Sequence, residues 1–301
     1  MVLAGFAFVQ AQPEEIYTIR TKNSKQLKDF FRYTEDRIPL VSAHRGGARE
    51  GFPENCIATF ENTLKHTPAI LEVDPQLTKD SVVILMHDFT LDRTSTGSGR
   101  ISDHTWAELQ QLKLKDTKGN VTEYRIPTLE EAINWARGKT ILILDEKSVP
   151  TELTVKLIEK NKAEGFVMIM PDNNAEAKKV YELNPNIMME VFVANKDRVA
   201  EFEKTGIPWE NVVAFVQHAR PENPEIYSLL HERGTMAIIG TGRRHDREYL
   251  QGNKDIYRQI IADGADIIEA DYAIEAGSEV LKLVPAKSSK SKYFKKVKLK
   301  K

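Results

Sequence analysis

From about Leu40 onward, short apolar runs of strand length alternate with longer stretches whose apolar positions recur every three to four residues. That alternation is the pattern of a parallel sheet closed by crossover helices. The candidate strands are LVSAH (40–44), AILEVD (69–74), SVVILMH (81–87), TILILDEK (140–147), FVMIM (166–170), IMMEVFV (187–193), VVAFV (212–216), MAIIG (236–240) and DIIEAD (266–271). A closed eight-stranded barrel must leave one of these outside as an edge piece. Helical stretches fall between most of them, several with a glycine just past the last turn, at Gly138, Gly165, Gly206 and Gly234, where a left-handed C-cap is expected. The segment 88–126 breaks the alternation and reads as an insertion after the third strand, capping one end of the sheet. With no internal repeat and no interdomain linker, residues 38–285 read as one domain.

Composition changes this picture only at the ends. The 301 residues are 41% hydrophobic and 29% charged with a formal net charge of −1, so no global field argues for nucleic acid. The positive charge is uneven, with eight lysines and no acid in 287–301. Residues 286–301 therefore read first as a disordered solubilising tail. A contact with an anionic lipid or polymer surface is the second reading; Tyr293 and Phe294 alone make no stacking platform for nucleic acid. The single cysteine, Cys56, excludes an intramolecular disulfide framework. The opening MVLAGFAFVQAQPEE resembles the apolar region and cleavage end of a secretory signal over residues 1–12, so a secreted or periplasmic location is expected. No apolar run reaches transmembrane length.

In parallel-sheet enzymes chemistry collects at the carboxyl ends of the strands. Here the first strand ends in His44 and Arg45, the third in His87 and Asp88, and the fourth in Asp145, Glu146 and Lys147. The second carries Glu72 and Asp74, which period-two alternation puts on one face. Two inward carboxylates repel unless a cation or a shared proton neutralises them, and oxygen-only donors favour Ca²⁺ or Mg²⁺. A cation beside two histidines, an arginine and a lysine suggests phosphoryl chemistry, with Arg45 and Lys147 on nonbridging oxygens and the histidines as acid and base. Counting in twos back from Lys147 puts Asp145, Ile143 and Ile141 inside, and turns Glu146, Leu144 and Leu142 outward. Glu146 then needs only solvent or a neighbouring cation.

AHRGGAREGFPENCIATF, LEVDPQLTKDSVVILMHDFTLDRTSTGSG and IPTLEEAINWA closely resemble the glycerophosphodiester phosphodiesterase family. The resemblance is specific from about Val41 to Lys147 and collinear to Asp271. It implies a TIM barrel with a small insertion, one divalent cation, and hydrolysis of a glycerophosphodiester to glycerol 3-phosphate and an alcohol. It makes His44 and His87 the acid/base pair, Glu72, Asp74, Asp145 and Glu54 metal ligands, and Arg45, Lys147 and Asn55 phosphate contacts. Related barrels imply two rivals, a phospholipase D-like enzyme and a catalytically silent phosphate-binding barrel.

Two departures stand out. The family's usual Glu-x-Lys is Asp145-x-Lys147 here, one methylene shorter. Its usual Trp-Thr-x-Asn is replaced by GTGRRHD (240–246), which keeps Thr241 and adds Arg243, Arg244 and His245. That loop supports two readings: a wider or more cationic pocket, with Arg243 as a substrate contact and a more anionic group such as a phosphoinositol head as its ligand, or a solvated basic loop.

Overall fold

The computed structural model describes residues 15–242 and 244–299. The signal-like run 1–12 and Arg243 lie outside the described residues. Eight parallel strands close into a barrel: β1 (Leu40–Ala43), β2 (Ala69–Val73), β3 (Leu142–Asp145), β4 (Val167–Met170), β5 (Met189–Phe192), β6 (Val212–Gln217), β7 (Ala237–Gly240) and β8 (Ile267–Ala270). The strands read as near-continuous apolar runs because both their faces are covered. One face, with Leu142, Leu144, Met189, Val191 and Ile268, packs against the surrounding helices. The other, with Ile70, Ile143, Met168, Val213, Phe215 and Ile238, fills the barrel interior.

The run 81–87 is the candidate that does not join. Val83–Leu85 pairs antiparallel with Pro75–Leu77, so the insertion follows the second barrel strand, not the third. Only residues 78–82 separate the pair, closed by Ser81 N–H to Thr78 O at 3.0 Å. A parallel partner needs a crossover of about a dozen residues or more, which this turn cannot supply. The insertion adds a second hairpin, Lys113–Lys115 with Val121–Arg125, and a small apolar cluster built on Ile84, Met86, Leu91, Leu109 and Ile126.

The ends of the chain also differ from expectation. Phe294–Lys298 pairs antiparallel with Glu15–Ile19, and Tyr293 is buried against Phe30 at 5.4 Å between ring centroids. Phe30 and Phe31, on the helix Ser24–Phe31, join the interior cluster and close the amino-terminal end of the barrel. The lysines hid this strand, because an edge strand tolerates Lys at its solvent-exposed positions, here Lys295, Lys296 and Lys298. Residues 286–299 are therefore ordered structure, and the domain extends beyond 38–285 at both ends. Gly138, Gly206 and Gly234 take left-handed φ of 68°, 75° and 76° as expected. Gly165 does not, and is small because a Cβ there would stand 2.6 Å from Asn23 N. Among the described residues no helix is long and apolar enough to cross a membrane.

Candidate active site

The chain leaves β1 through His44, Arg45, Gly46 and Gly47, the last three at φ 53°, 83° and 87°. A Cβ on Gly46 would sit 2.3 Å from the Phe60 ring, so the turn needs glycine for both space and conformation. It aims the Arg45 N–H at Glu72 Oε2, 2.7 Å away. Asn55, also left-handed at φ 55°, donates from Nδ2 to Asp74 Oδ2 at 2.7 Å and accepts from Asp74 N at 3.0 Å. These two bonds make Asn55 a positioning residue for Asp74.

Glu72 on β2, Asp74 just beyond it and Asp145 ending β3 each offer an oxygen within 4.8 Å of the others. Glu72 and Asp74 are buried, and Glu72 Oε1 and Asp74 Oδ1 have no hydrogen-bond partner. Burial first, then the charges of Asp74, Glu269 and Asp145, raises the Glu72 pKa well above the carboxylate range. Lys147 bonds Asp145 and stands 3.4 Å from Asp74 Oδ1. Burial lowers its pKa, but the three carboxylates outweigh that and hold it above the usual lysine value. Converging carboxylates whose hard oxygens lack hydrogen bonds, one of them facing only the Lys147 ammonium, are a donor set that fits a divalent cation.

Glu54 is not part of this cluster. It is paired with Arg45 at 3.2 Å and bidentately with Arg93 at 2.8 Å, because the insertion brings Arg93 directly over it. Arg93 also grips Asp88 at 2.6 and 2.9 Å, and Asp88 accepts from His87 Nδ1 at 2.8 Å. The Arg93 guanidinium holds the Asp88 carboxyl well below the usual range. The run His87, Asp88, Arg93, Glu54, Arg45, Glu72 is thus one connected network from the insertion to the acidic cluster. His44 Nδ1 donates to Asp271 Oδ1 at 2.6 Å. Burial pushes His44 down, yet the bond to Asp271 and the charges of Glu269 and Asp271 prevail, and its pKa is raised. Asp271 is itself fixed through its N–H on Asp246 Oδ2 at 2.8 Å.

Sequence reading passed over Asp271, Arg93 and two interior glutamates, Glu190 and Glu269. The signal for the glutamates was a lone charge inside an apolar strand, in IMMEVFV and DIIEAD. Glu190 is fully buried with neither carboxylate oxygen partnered, and Glu269 is 7% exposed. Burial above all, with Asp145 adding, raises both. Glu146 is not solvated either. It is 9% exposed, and burial pushes it up to about 7, because its N–H continues the sheet onto Met170 O at 3.3 Å. The basic loop after β7 is mostly spoken for. Arg244 pairs with Glu248 at 3.1 Å, and His245, 2% exposed, accepts from Arg220 N at 3.0 Å.

His44, Arg45, Glu54 and Asp271 open into a cleft of about 490 Å³ whose far wall is Thr117 and Lys118 of the insertion. Fold and site together define a TIM barrel with an acid-lined, histidine-flanked centre at the carboxyl ends of its strands. The sequence profile of the glycerophosphoryl diester phosphodiesterase family matches residues 44–205, and the chain belongs to that family. A crystal structure of a glycerophosphoryl diester phosphodiesterase from Parabacteroides distasonis is 51% identical, covering 94% of this chain and 100% of that one at a TM-score of 0.91. A glycerophosphodiester phosphodiesterase of Bacillus subtilis is 32% identical over 173 residues, 50% of this chain and 58% of that protein. A phosphodiesterase of Oleispira antarctica, solved with the product sn-glycerol-3-phosphate, shares the fold at 21% identity and a TM-score of 0.61, covering 81% of this chain and 97% of that one.

Proposed function

We propose that the protein is a metal-dependent phosphodiesterase that hydrolyses glycerophosphodiesters to glycerol 3-phosphate and an alcohol, with His44 and His87 as its acid/base pair. The observation that carries this reading is the triad Glu72, Asp74 and Asp145, with Glu72 Oε1 unpartnered and Asp74 Oδ1 meeting only the Lys147 ammonium at 3.4 Å. Glu72, Asp74 and Asp145 would hold the cation, Ca²⁺ or Mg²⁺ by donor type. When bound, that ion polarises the phosphoryl oxygens and favours a deprotonated attacking hydroxyl.

The chain's own groups divide the remaining work. Arg45 Nε is buried without a partner and is free to donate to a nonbridging oxygen, while Lys147 adds charge beside the triad. One histidine takes the proton of the attacking hydroxyl as the new O–P bond forms. The other protonates the alcohol as the old O–P bond breaks. Attack by water gives glycerol 3-phosphate directly, whereas attack by the neighbouring glycerol hydroxyl gives a cyclic phosphate that water then opens in a second step with the histidine roles exchanged. Asp271 and Asp88 accept from the two Nδ1 atoms, which leaves each Nε2 for this exchange. Chelator-treated protein titrated with Ca²⁺, Mg²⁺ or Mn²⁺ should recover release of glycerol 3-phosphate, and metal-independent turnover would contradict the reading. Activity surviving His44→Ala would sink the two-histidine mechanism.

A second reading has one observation in its favour. Phe192, the last residue of β5, and Phe89 and Tyr272, beyond the ends of an insertion strand and of β8, are 45%, 55% and 39% exposed. Such aromatics suit a diester that still carries an acyl chain, as in a phospholipase D-like enzyme. Release of lysophosphatidate from a lysophospholipid, measured beside glycerol 3-phosphate release, separates the two.

A further inference from the structure

In the closed order of strands, β5 lies opposite β1, so the ends of β4, β5 and β6 face His44 across the barrel mouth. They enclose a second cleft, of about 600 Å³, which the chemistry above does not use. Met189 and Val191 pack outward on the helices, so alternation turns Phe192, like Glu190, toward the barrel axis. Its ring is 45% exposed and meets Phe215 edge-on, at 5.3 Å and 61°. His218 continues the wall, 4.8 Å from Phe215. β7 ends in Gly240 beside these rings, and a Cβ there would stand 2.6 Å from His218 Nδ1 and 2.9 Å from Phe215 Cζ. The bare glycine is what lets the aromatic wall close.

The lining of this cleft carries one carboxylate, Asp172, and one guanidinium, Arg198. Asp172 lines it and is exposed. It stands two residues past Met170, the register partner of Asp145, and its charge contributes to raising both Asp145 and Glu146. The competing positive features are already satisfied. Arg198 is paired with Glu201 at 2.7 Å. The first-turn N–H groups of the helix Asn174–Leu183 are taken by Asn173 Oδ1, at 2.9 and 3.1 Å, and Asn195 caps the next helix in the same way, at 3.0 Å. An anion finds little to bind here. An alkylammonium group finds an aromatic face, whose quadrupole attracts cations, and a carboxylate lining the same cleft.

We propose that this cleft receives the alcohol half of the diester and selects alcohols bearing an ammonium group, held between the Phe192 ring and Asp172. The inference rests on the phosphodiesterase reading, and it replaces the anionic head group of the first reading of the basic loop with a cationic one.

The test compares glycerophosphocholine with its uncharged isostere, the 3,3-dimethylbutyl ester of glycerol 3-phosphate, and with glycerophosphoinositol. The expected kcat/KM favours the choline ester over the isostere by about tenfold, the scale of a partly desolvated cation–π contact. Phe192→Leu and Asp172→Asn should each pull that ratio toward one; both side chains are exposed, so thermal melts should show folded variants. A wild-type ratio within twofold of one, a preference for the inositol ester, or a ratio unmoved by both variants overturns the subsite. Failure to release glycerol 3-phosphate from any ester would count instead against the phosphodiesterase reading. In that event, calorimetric titration with choline decides the subsite: binding lost in both variants supports it, and no binding to the wild type overturns it.

Discussion

Asp271 is the residue on which the behaviour of His44 turns. Its hydrogen bond and charge keep the imidazole pKa raised against the effect of burial, so Asp271→Asn should lower that pKa. The limb of the kcat/KM against pH profile that reports His44 should move to lower pH, with turnover falling on the order of tenfold or more; an unmoved limb would assign it elsewhere. Asn55 acts one step further from the chemistry, as the clamp on Asp74. Asn55→Gly keeps the left-handed backbone and removes the clamp, and should weaken metal binding about 10- to 100-fold by calorimetry. Asp145→Asn should raise the metal concentration needed for half-maximal turnover, while Glu146→Gln should not, because Glu146 faces away from the triad. The first of these residues was invisible in sequence. Asp271 lies 227 positions from its histidine, and only closure of β8 onto β1 brings the two together.

At the scale of elements, the insertion decides how the network is completed. Its Arg93 joins Asp88 to Glu54, and its Asp116 accepts from Gly51 N at 2.8 Å and from Asn120 N at 2.9 Å. Those bonds hold the Asp116 carboxyl down at about 2. A depressed carboxylate stabilises the fold above its unfolded value, about 4, and the contribution fades as pH falls from there through about 2. Asp116→Asn should flatten that part of the acid-unfolding curve, and it should loosen the wall made by Thr117 and Lys118, seen as faster amide exchange across residues 113–125. The alternation of runs predicted the barrel strands well because each is buried on both faces. It misplaced 81–87 because an apolar run of that length looks the same in a hairpin and in a barrel, and the short turn before it was the only local sign.

For the whole molecule, the first and last described strands, Glu15–Ile19 and Phe294–Lys298, pair with each other. Asp29 accepts from Tyr293 OH at 2.7 Å and from Lys292 Nζ at 2.9 Å, and these bonds hold its carboxyl well below the usual range. That contribution is present above about pH 4 and is lost as pH falls below it. Truncation after Ala286 unpairs Glu15–Ile19 and uncovers Phe30, so the loss should exceed roughly 3 kcal/mol, the scale of deleting one buried aromatic. By the usual scaling the melting temperature should drop by about 6 °C or more. A melt unchanged by truncation would mean that the strand contributes nothing. The sequence by itself determined what depends on near neighbours and on period: the parallel α/β alternation, the inward face carrying Glu72, Asp74 and Asp145, and the His-Arg-Gly-Gly turn. Only the tertiary structure decided what depends on closure. It fixed which apolar run stands outside the barrel, which acid holds His44, where Glu54 and Asn55 spend their hydrogen bonds, and that a lysine-rich end completes a sheet. The reason is physical: burial and long-range pairing set those outcomes, and neither is written in any local stretch of the chain.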